Sequence, residues 1–429
     1  MPKARAMPDE VSYNAAISGF SKASQWQLAL VVLHETMPCI RVSPGEITCN
    51  AAITSCEKGL QWQLALRLLE VSMPRMGLIA NRISYSSLIS ACEKSGQWKL
   101  AVGTLRKMSK LKVSPNEISF NAAISACGND QWPLAIRMLG QMPEIRLTPD
   151  SISYNAAITS CREAWKRALG VLSLMSDKRV APDQFSRSAT ISACEKGAAW
   201  QLALSLLQAA SDLWGVVLPN EVSYGAAIRA CEKGGQWPLA VGLLAKMPEM
   251  RVQQNEISWS ASMSACEKSG QWQLALHLFV RMRFAGVVPD RVSYNVAISA
   301  CENVNRSVEA LQLLLEMQAV RLEPDVVTYS TVVSACEDLE SPAKVLELLA
   351  EMEARRLEAN VLTYNGAILG CSKGTSPEKA SQLLDEMKAK QVRPDPLTYT
   401  AAIRGAERCG QPCQAVKLLA EAHSWSITL

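Results

Sequence analysis

Apolar residues recur at three- and four-residue steps over Ile257 to Lys268, and again over Trp272 to Met282. That spacing puts them on one stripe of a helix, so each stretch predicts an amphipathic helix. Ser269-Gly270 breaks the pattern between them, and Pro289-Asp290 closes it. Proline halts the second helix, and Asp or Asn caps the next one. The same closure stands at Pro115-Asn116, Pro149-Asp150, Pro182-Asp183, Pro219-Asn220, Pro324-Asp325 and Pro394-Asp395.

The pattern is a repeat. Val11-Ser-Tyr-Asn-Ala-Ala-Ile returns, nearly unchanged, from Ile152, Val222 and Val292. Taking the preceding residue as position 1, repeats begin at residues 10, 46, 82, 117, 151, 184, 221, 256, 291, 326, 361 and 396. They follow a leader of residues 1–9 and fill residues 10–429, with the twelfth cut short. Two helices in about 35 residues cannot bury their apolar faces alone, whereas stacked on neighbours they share a continuous core. The expectation is therefore one elongated all-α solenoid.

Composition narrows the function. The chain has 429 residues, with 44 Lys+Arg against 40 Asp+Glu, and 48% hydrophobic residues. Neither disorder nor a membrane span fits, since apolar runs such as Leu28 to Leu33 fall far short of the roughly 20 residues a bilayer requires. Three histidines, His34, His277 and His423, leave no room for a multi-histidine metal site. Ten of the 14 cysteines sit at position 11, one per repeat, from Cys56 to Cys371. Neighbouring helices place them roughly 10 Å apart, too far for disulfides. They read as buried reduced thiols in a reducing compartment. Cys409 and Cys413 have no matching pair to complete a metal site. All eight tyrosines fall at position 4, and eight of eleven tryptophans open second helices; helix packing is the expected role for both.

Two positions carry more information. Position 5 is small and polar in eleven of twelve repeats, and the last position is Asn or Asp in ten of eleven. Capping explains part of the latter but hardly distinguishes Asn from Asp. The sequence does distinguish them. Asn121, Asn155, Asn295 and Asn365 go with a closing Asp150, Asp183, Asp325 and Asp395. Ser86, Ser188 and Ser330 go with Asn116, Asn220 and Asn360. Ser260 with Asp290 is mixed, and Asn50 closes with Asn81. A two-residue reader of base edges would sort this way, because Asp only accepts hydrogen bonds while Asn also donates.

The chain resembles the pentatricopeptide repeat family along nearly its whole length. The likeness rests on V-[ST]-Y-N at repeat starts, on Ala65, Ala101, Ala203, Ala240, Ala275, Ala310 and Ala380 within second helices, and on the closing Pro-Asp. Met108, Met247, Met282, Met317, Met352 and Met387 near their ends complete it. The resemblance, to an array of the P type, implies a right-handed superhelix binding single-stranded RNA, one nucleotide per repeat. It implies that positions 5 and last read the base, in the pairs given above. It implies that apolar position 2 wedges between bases: Ile83, Ile118, Val222, Ile257, Val292, Val327 and Leu362. At position 13, Lys58, Lys94, Lys196, Lys233, Lys268 and Lys373 suit a phosphate backbone, although a solvated face also explains them. Preceding glutamates such as Glu57 and Glu232 offset much of that charge. By the family code the bases run, 5′ to 3′, n-Y-A-U-U-A-n-G-U-A-U. Repeats one, seven and twelve are left open.

Some members of that family end in a zinc deaminase-like domain, which needs H-x-E and P-C-x-x-C. Neither motif occurs, nor a phosphate-binding glycine loop or a nucleophile elbow. The expectation is no catalysis, no cofactor and no metal, with a monomer acting by occupying RNA and recruiting RNA-processing proteins. Family members usually work in plastids or mitochondria. The leader MPKARAMPD is too short for a transit peptide, so either the start is missing or the chain is cytosolic, and its abrupt ends look like those of a fragment. The rival expectation is a helical scaffold that binds proteins.

Overall fold

The computed structural model describes residues 10–40, 42–128, 131–212, 219–337, 342–373, 377–408 and 412–424. The leader, Cys409 and the side chains of Cys413 and His423 lie outside the described residues. Among the described residues every regular element is helical, and each repeat folds as a pair of helices. In repeat eight these are Glu256–Lys268 and Trp272–Phe284. The first begins where it does because Asn255, extended, accepts the Ser258 N–H at 3.0 Å, while the Ser258 hydroxyl accepts the Asn255 N–H at 3.1 Å. This reciprocal box satisfies two donors the helix leaves orphaned. The second ends on Gly286 at φ 77°, the left-handed cap that glycine adopts without strain. Elsewhere a bulkier residue holds that place, as Arg179, Arg251, Arg321 and Arg356 do at φ 58–62°.

The second helices of repeats one and two depart from regular α geometry. Trp26–Val31 and Trp62–Arg67 run into π-helical turns, Val32–Thr36 and Leu68–Ser72, before Met37–Cys39 and Met73–Arg75. Each of these helices has one residue more than its counterparts: Trp26 to Met37 and Trp62 to Met73 are eleven steps, against ten from Trp98 to Met108 or Trp237 to Met247. One wide turn absorbs the extra residue and leaves Met37 and Met73 buried, as Met108 and Met247 are. In repeat four, Pro143 instead opens a short 3-10 turn, Pro143–Ile145.

Two compact bodies make up the chain, Met1–Ser223 and Tyr224–Leu429, with the border inside Glu221–Lys233. In the first, Glu10–Lys22, Glu46–Lys58, Arg82–Lys94, Glu117–Ala126, Ser151–Ser160 and Gln184–Lys196 pack in succession, each also against its own second helix. In the second, Glu256–Lys268, Arg291–Glu302, Val326–Ala335, Val361–Lys373 and Pro396–Arg408 do the same.

Position 4 supplies the core: Tyr85, Tyr154, Tyr294, Tyr329, Tyr364 and Tyr399 are all buried. Trp259 is buried in the same place, its indole N–H without a partner. The ten position-11 cysteines are buried and unpaired. Burial pushes nine of their thiols, among them Cys56, Cys231 and Cys336, up to about 11. The second-helix tryptophans are only half-buried and bridge successive repeats. Trp26 lies against Gly59, and Trp165 against Gly197, each just past the end of the first helix of the next repeat, where even a β-carbon would collide with the indole.

Candidate nucleic-acid interface

Position 5 and the last position meet. The side-chain N–H of Asn121 donates to Asp150 at 3.3 Å, and that of Asn155 to Asp183 at 2.9 Å. Asn295 donates to Asp325 at 3.5 Å, and Asn365 to Asp395 at 3.0 Å. Where position 5 is serine, the hydroxyls of Ser86 and Ser330 donate to the helix carbonyls of Arg82 and Val326 at 2.8 and 2.6 Å, and lie 3.3 and 3.4 Å from the side-chain oxygens of Asn116 and Asn360. Asn50 donates to Asn81 at 3.3 Å. The pairing of Asn with Asp thus has an intramolecular reason, because an amide donor faces a carboxylate.

A third residue, which the sequence reading missed, completes most of these sets. Position 3 is Ser or Thr in all twelve repeats. Its hydroxyl reaches back to the preceding repeat: Thr48 to Asn14, Ser84 to Asn50, Ser153 to Asn121, Thr328 to Asn295 and Thr398 to Asn365, at 2.5–2.7 Å. In Asn50, Asn121, Asn295 and Asn365 the oxygen therefore faces the hydroxyl and the NH₂ faces the closing residue, which fixes the amide, whereas the Asn155 oxygen is buried without a partner because Ser186 turns to Asp183. One amide N–H remains for another partner. Burial alone would raise the carboxyls of Asp150, Asp183, Asp325 and Asp395. The backbone N–H and hydroxyl of position 3, with the position-5 amide, outweigh it and hold all four below the usual carboxylate value.

Three repeats break the arrangement. In repeat six Ser188 bonds only to the Phe185 carbonyl, at 3.0 Å, and not to Asn220. In repeat seven Gly225 has no side chain to offer. In repeat eight Ser260 donates to the Ile257 carbonyl at 3.2 Å rather than to Asp290.

Position 2 lies three residues before position 5, on the same helix face. It is exposed in every repeat, from 52% at Ile257 to 70% at Val11. Ile83, Ile118, Val222, Val292, Val327 and Leu362 are among these, so packing does not account for the apolar choice. A cleft of about 170 Å³ opens between Phe185 and Val222, with Ser188 and Arg162 in its lining. Successive position-2 side chains flank a slot there, with position 5 at its side.

The position-13 lysines Lys58, Lys94, Lys196, Lys233, Lys268 and Lys373 are exposed. Several already have partners. Lys94 bridges to Glu57 at 2.9 Å, Lys268 to Glu232 at 2.6 Å and Lys373 to Glu337 at 3.7 Å, each a glutamate of the preceding repeat. Ser264 and Ser299 donate to Glu232 and Glu267 at 2.8 and 3.0 Å. Burial pushes the carboxyls of Glu93 and Glu302 up.

Comparison with known proteins agrees with this architecture. Models of the PPR repeat family match residues 254–303, 289–338 and 360–408, and a pentatricopeptide repeat domain model matches 68–130. A PPR repeat model matches 11–36, 222–252 and 327–357. No curated protein matches by sequence. The crystal structure of the maize pentatricopeptide repeat protein PPR10 is 18% identical with a TM-score of 0.63, covering 99% of this chain and 70% of that one. The same protein in complex with an 18-nt psaJ RNA element is 17% identical at a TM-score of 0.52, covering 100% and 75%. Both show the helical-repeat fold. With repeat models matching over more than half its length, the chain belongs to the pentatricopeptide repeat family.

Proposed function

We propose that this protein binds single-stranded RNA sequence-selectively, one nucleotide per repeat, through the position-5 and closing residues. The observation that carries the reading is the row of exposed apolar position-2 side chains beside hydrogen-bonded polar pairs. An exposed aliphatic row costs solubility, and the faces of unstacked bases would cover it. The polar pairs then differ from repeat to repeat in the donors and acceptors they offer a base edge. A bound psaJ RNA element in the maize relative supports this reading. The base order it implies is n-Y-A-U-U-A-n-G-U-A-U, with repeats nine to eleven the most regular. Binding would act by occupancy, shielding or remodelling a transcript or recruiting processing enzymes, in a plastid or mitochondrion as in the family at large.

The test is RNA binding by the full chain at one stated salt concentration. The probe YAUUAnGUAU is compared with one whose U and A positions are exchanged, and with its DNA version. Tighter binding of the first is expected. Equal binding of both RNAs discards the base order, and no binding by the folded protein overturns the reading.

A further inference from the structure

Repeat seven has glycine at position 5, where the other repeats have a side chain. Four residues on, at position 9, it has Arg229, where nine repeats carry Ser or Thr. Residues four apart share a helix face. The Arg229 guanidinium lies along that face, with Nη1 4.0 Å from where a β-carbon on Gly225 would stand and the Ile257 methyl at 3.9 Å. Repeat twelve also has an arginine at position 9, Arg404, but keeps Thr400 at position 5. Only in repeat seven is the large side chain matched by a gap.

At this slot the Ser258 hydroxyl turns to its own closing residue and donates to the carbonyl of Asn255 at 2.8 Å. The Asn255 side-chain oxygen is taken by the Ser258 N–H at 3.0 Å. What this slot offers a base is therefore donors, the Asn255 NH₂ and the guanidinium. Arg229 is engaged within the fold, but its five N–H donors serve more than one partner.

We propose that Arg229 reads the base at repeat seven in place of a position-5 residue, and that it selects guanine. This rests on the RNA-binding reading above. A guanidinium fork matches two neighbouring acceptors, and guanine presents O6 and N7 side by side. Adenine puts its N6 amine where O6 would be, so donor meets donor.

Four probes test it, alike except for A, C, G or U opposite repeat seven. The G probe is expected to bind the wild-type chain roughly tenfold tighter than the A probe. Arg229→Ser restores the commoner residue and should abolish that preference, while selectivity for A opposite repeat ten persists. Gly225→Asn, whose β-carbon fits at ordinary contact distance, should move the preference to a pyrimidine. Equal binding of the four probes, or a G preference that survives Arg229→Ser, overturns the inference. A fifth probe with U for A opposite repeat ten separates the failures. If that change weakens binding while the four probes tie, only the role of Arg229 falls; if it does nothing, the base code falls and this role with it.

Discussion

At Thr398 a single hydroxyl accepts the backbone N–H of Asp395 at 3.0 Å and donates to the amide oxygen of Asn365 at 2.5 Å. Its partner amide then donates to the Asp395 carboxylate. Three side chains from two repeats thus hold one another before any ligand arrives. Such pre-ordering lowers the entropy cost of reading a base. Exchanging both readers of repeat ten, Ser330→Asn with Asn360→Asp, is expected to switch its preference from A to U by roughly tenfold in relative affinity. Competition binding with the two probes checks this. The wedge residues make a different prediction, because they face solvent. Val292→Ala should leave the melting temperature nearly unchanged, as surface substitutions usually do, yet weaken RNA binding several-fold. A large loss of stability instead would return position 2 to a packing role. Of the site, the sorted pairs were legible in the sequence. The position-3 hydroxyl was not, because its importance lies in a partner more than 30 residues away.

At the scale of the helix, the boundaries follow from local signals. Asn255 and Asp325 start helices and Gly286 ends one, each by a rule that operates within a few residues. The wide turns before Pro38 and Pro74 follow from one extra residue between tryptophan and methionine, which Trp237–Glu249, regular despite Pro248, does not have. The packing role of the tryptophans was legible, but their partner was not, as the Trp26–Gly59 fit joins two repeats. The left-handed caps give a prediction here. Arg321 sits at φ 62° where repeat eight has glycine. Arg321→Gly is expected to stabilise the protein by about 1 kcal/mol, because glycine enters that region without a β-carbon clash. Chemical denaturation reads it out. Unchanged or lower stability would mean that chain entropy offsets the relief.

Across the whole molecule, ionisable groups form two opposed sets. The carboxyls of Asp150, Asp183, Asp325 and Asp395 are held low. A lowered folded-state pKa stabilises above the unfolded value, about 3.9, and that stability is lost as pH falls through the folded value. Glu93 and Glu302 are raised, chiefly by burial. They bind protons more tightly when folded, so their contribution grows as pH falls toward the raised value. Thermal melts should therefore pass through a maximum in mildly acid solution and fall below about pH 4. Glu93→Gln with Glu302→Gln should raise the melting temperature at pH 7 and flatten the neutral side of the curve. A profile unaltered by the double substitution would show the opposition to be absent.

The row of buried thiols, one in each of ten successive repeats, has a consequence for experiment. A sulfhydryl whose ionisation burial pushes well above the usual thiol range, and which meets no solvent, cannot be alkylated until its own repeat opens. In a linear array each hairpin leans only on its neighbours, so openings differ along the chain. A timed maleimide pulse on the native protein, followed by peptide mass spectrometry, would then record opening frequency hairpin by hairpin. Ten reporters are already in place, and none has to be engineered.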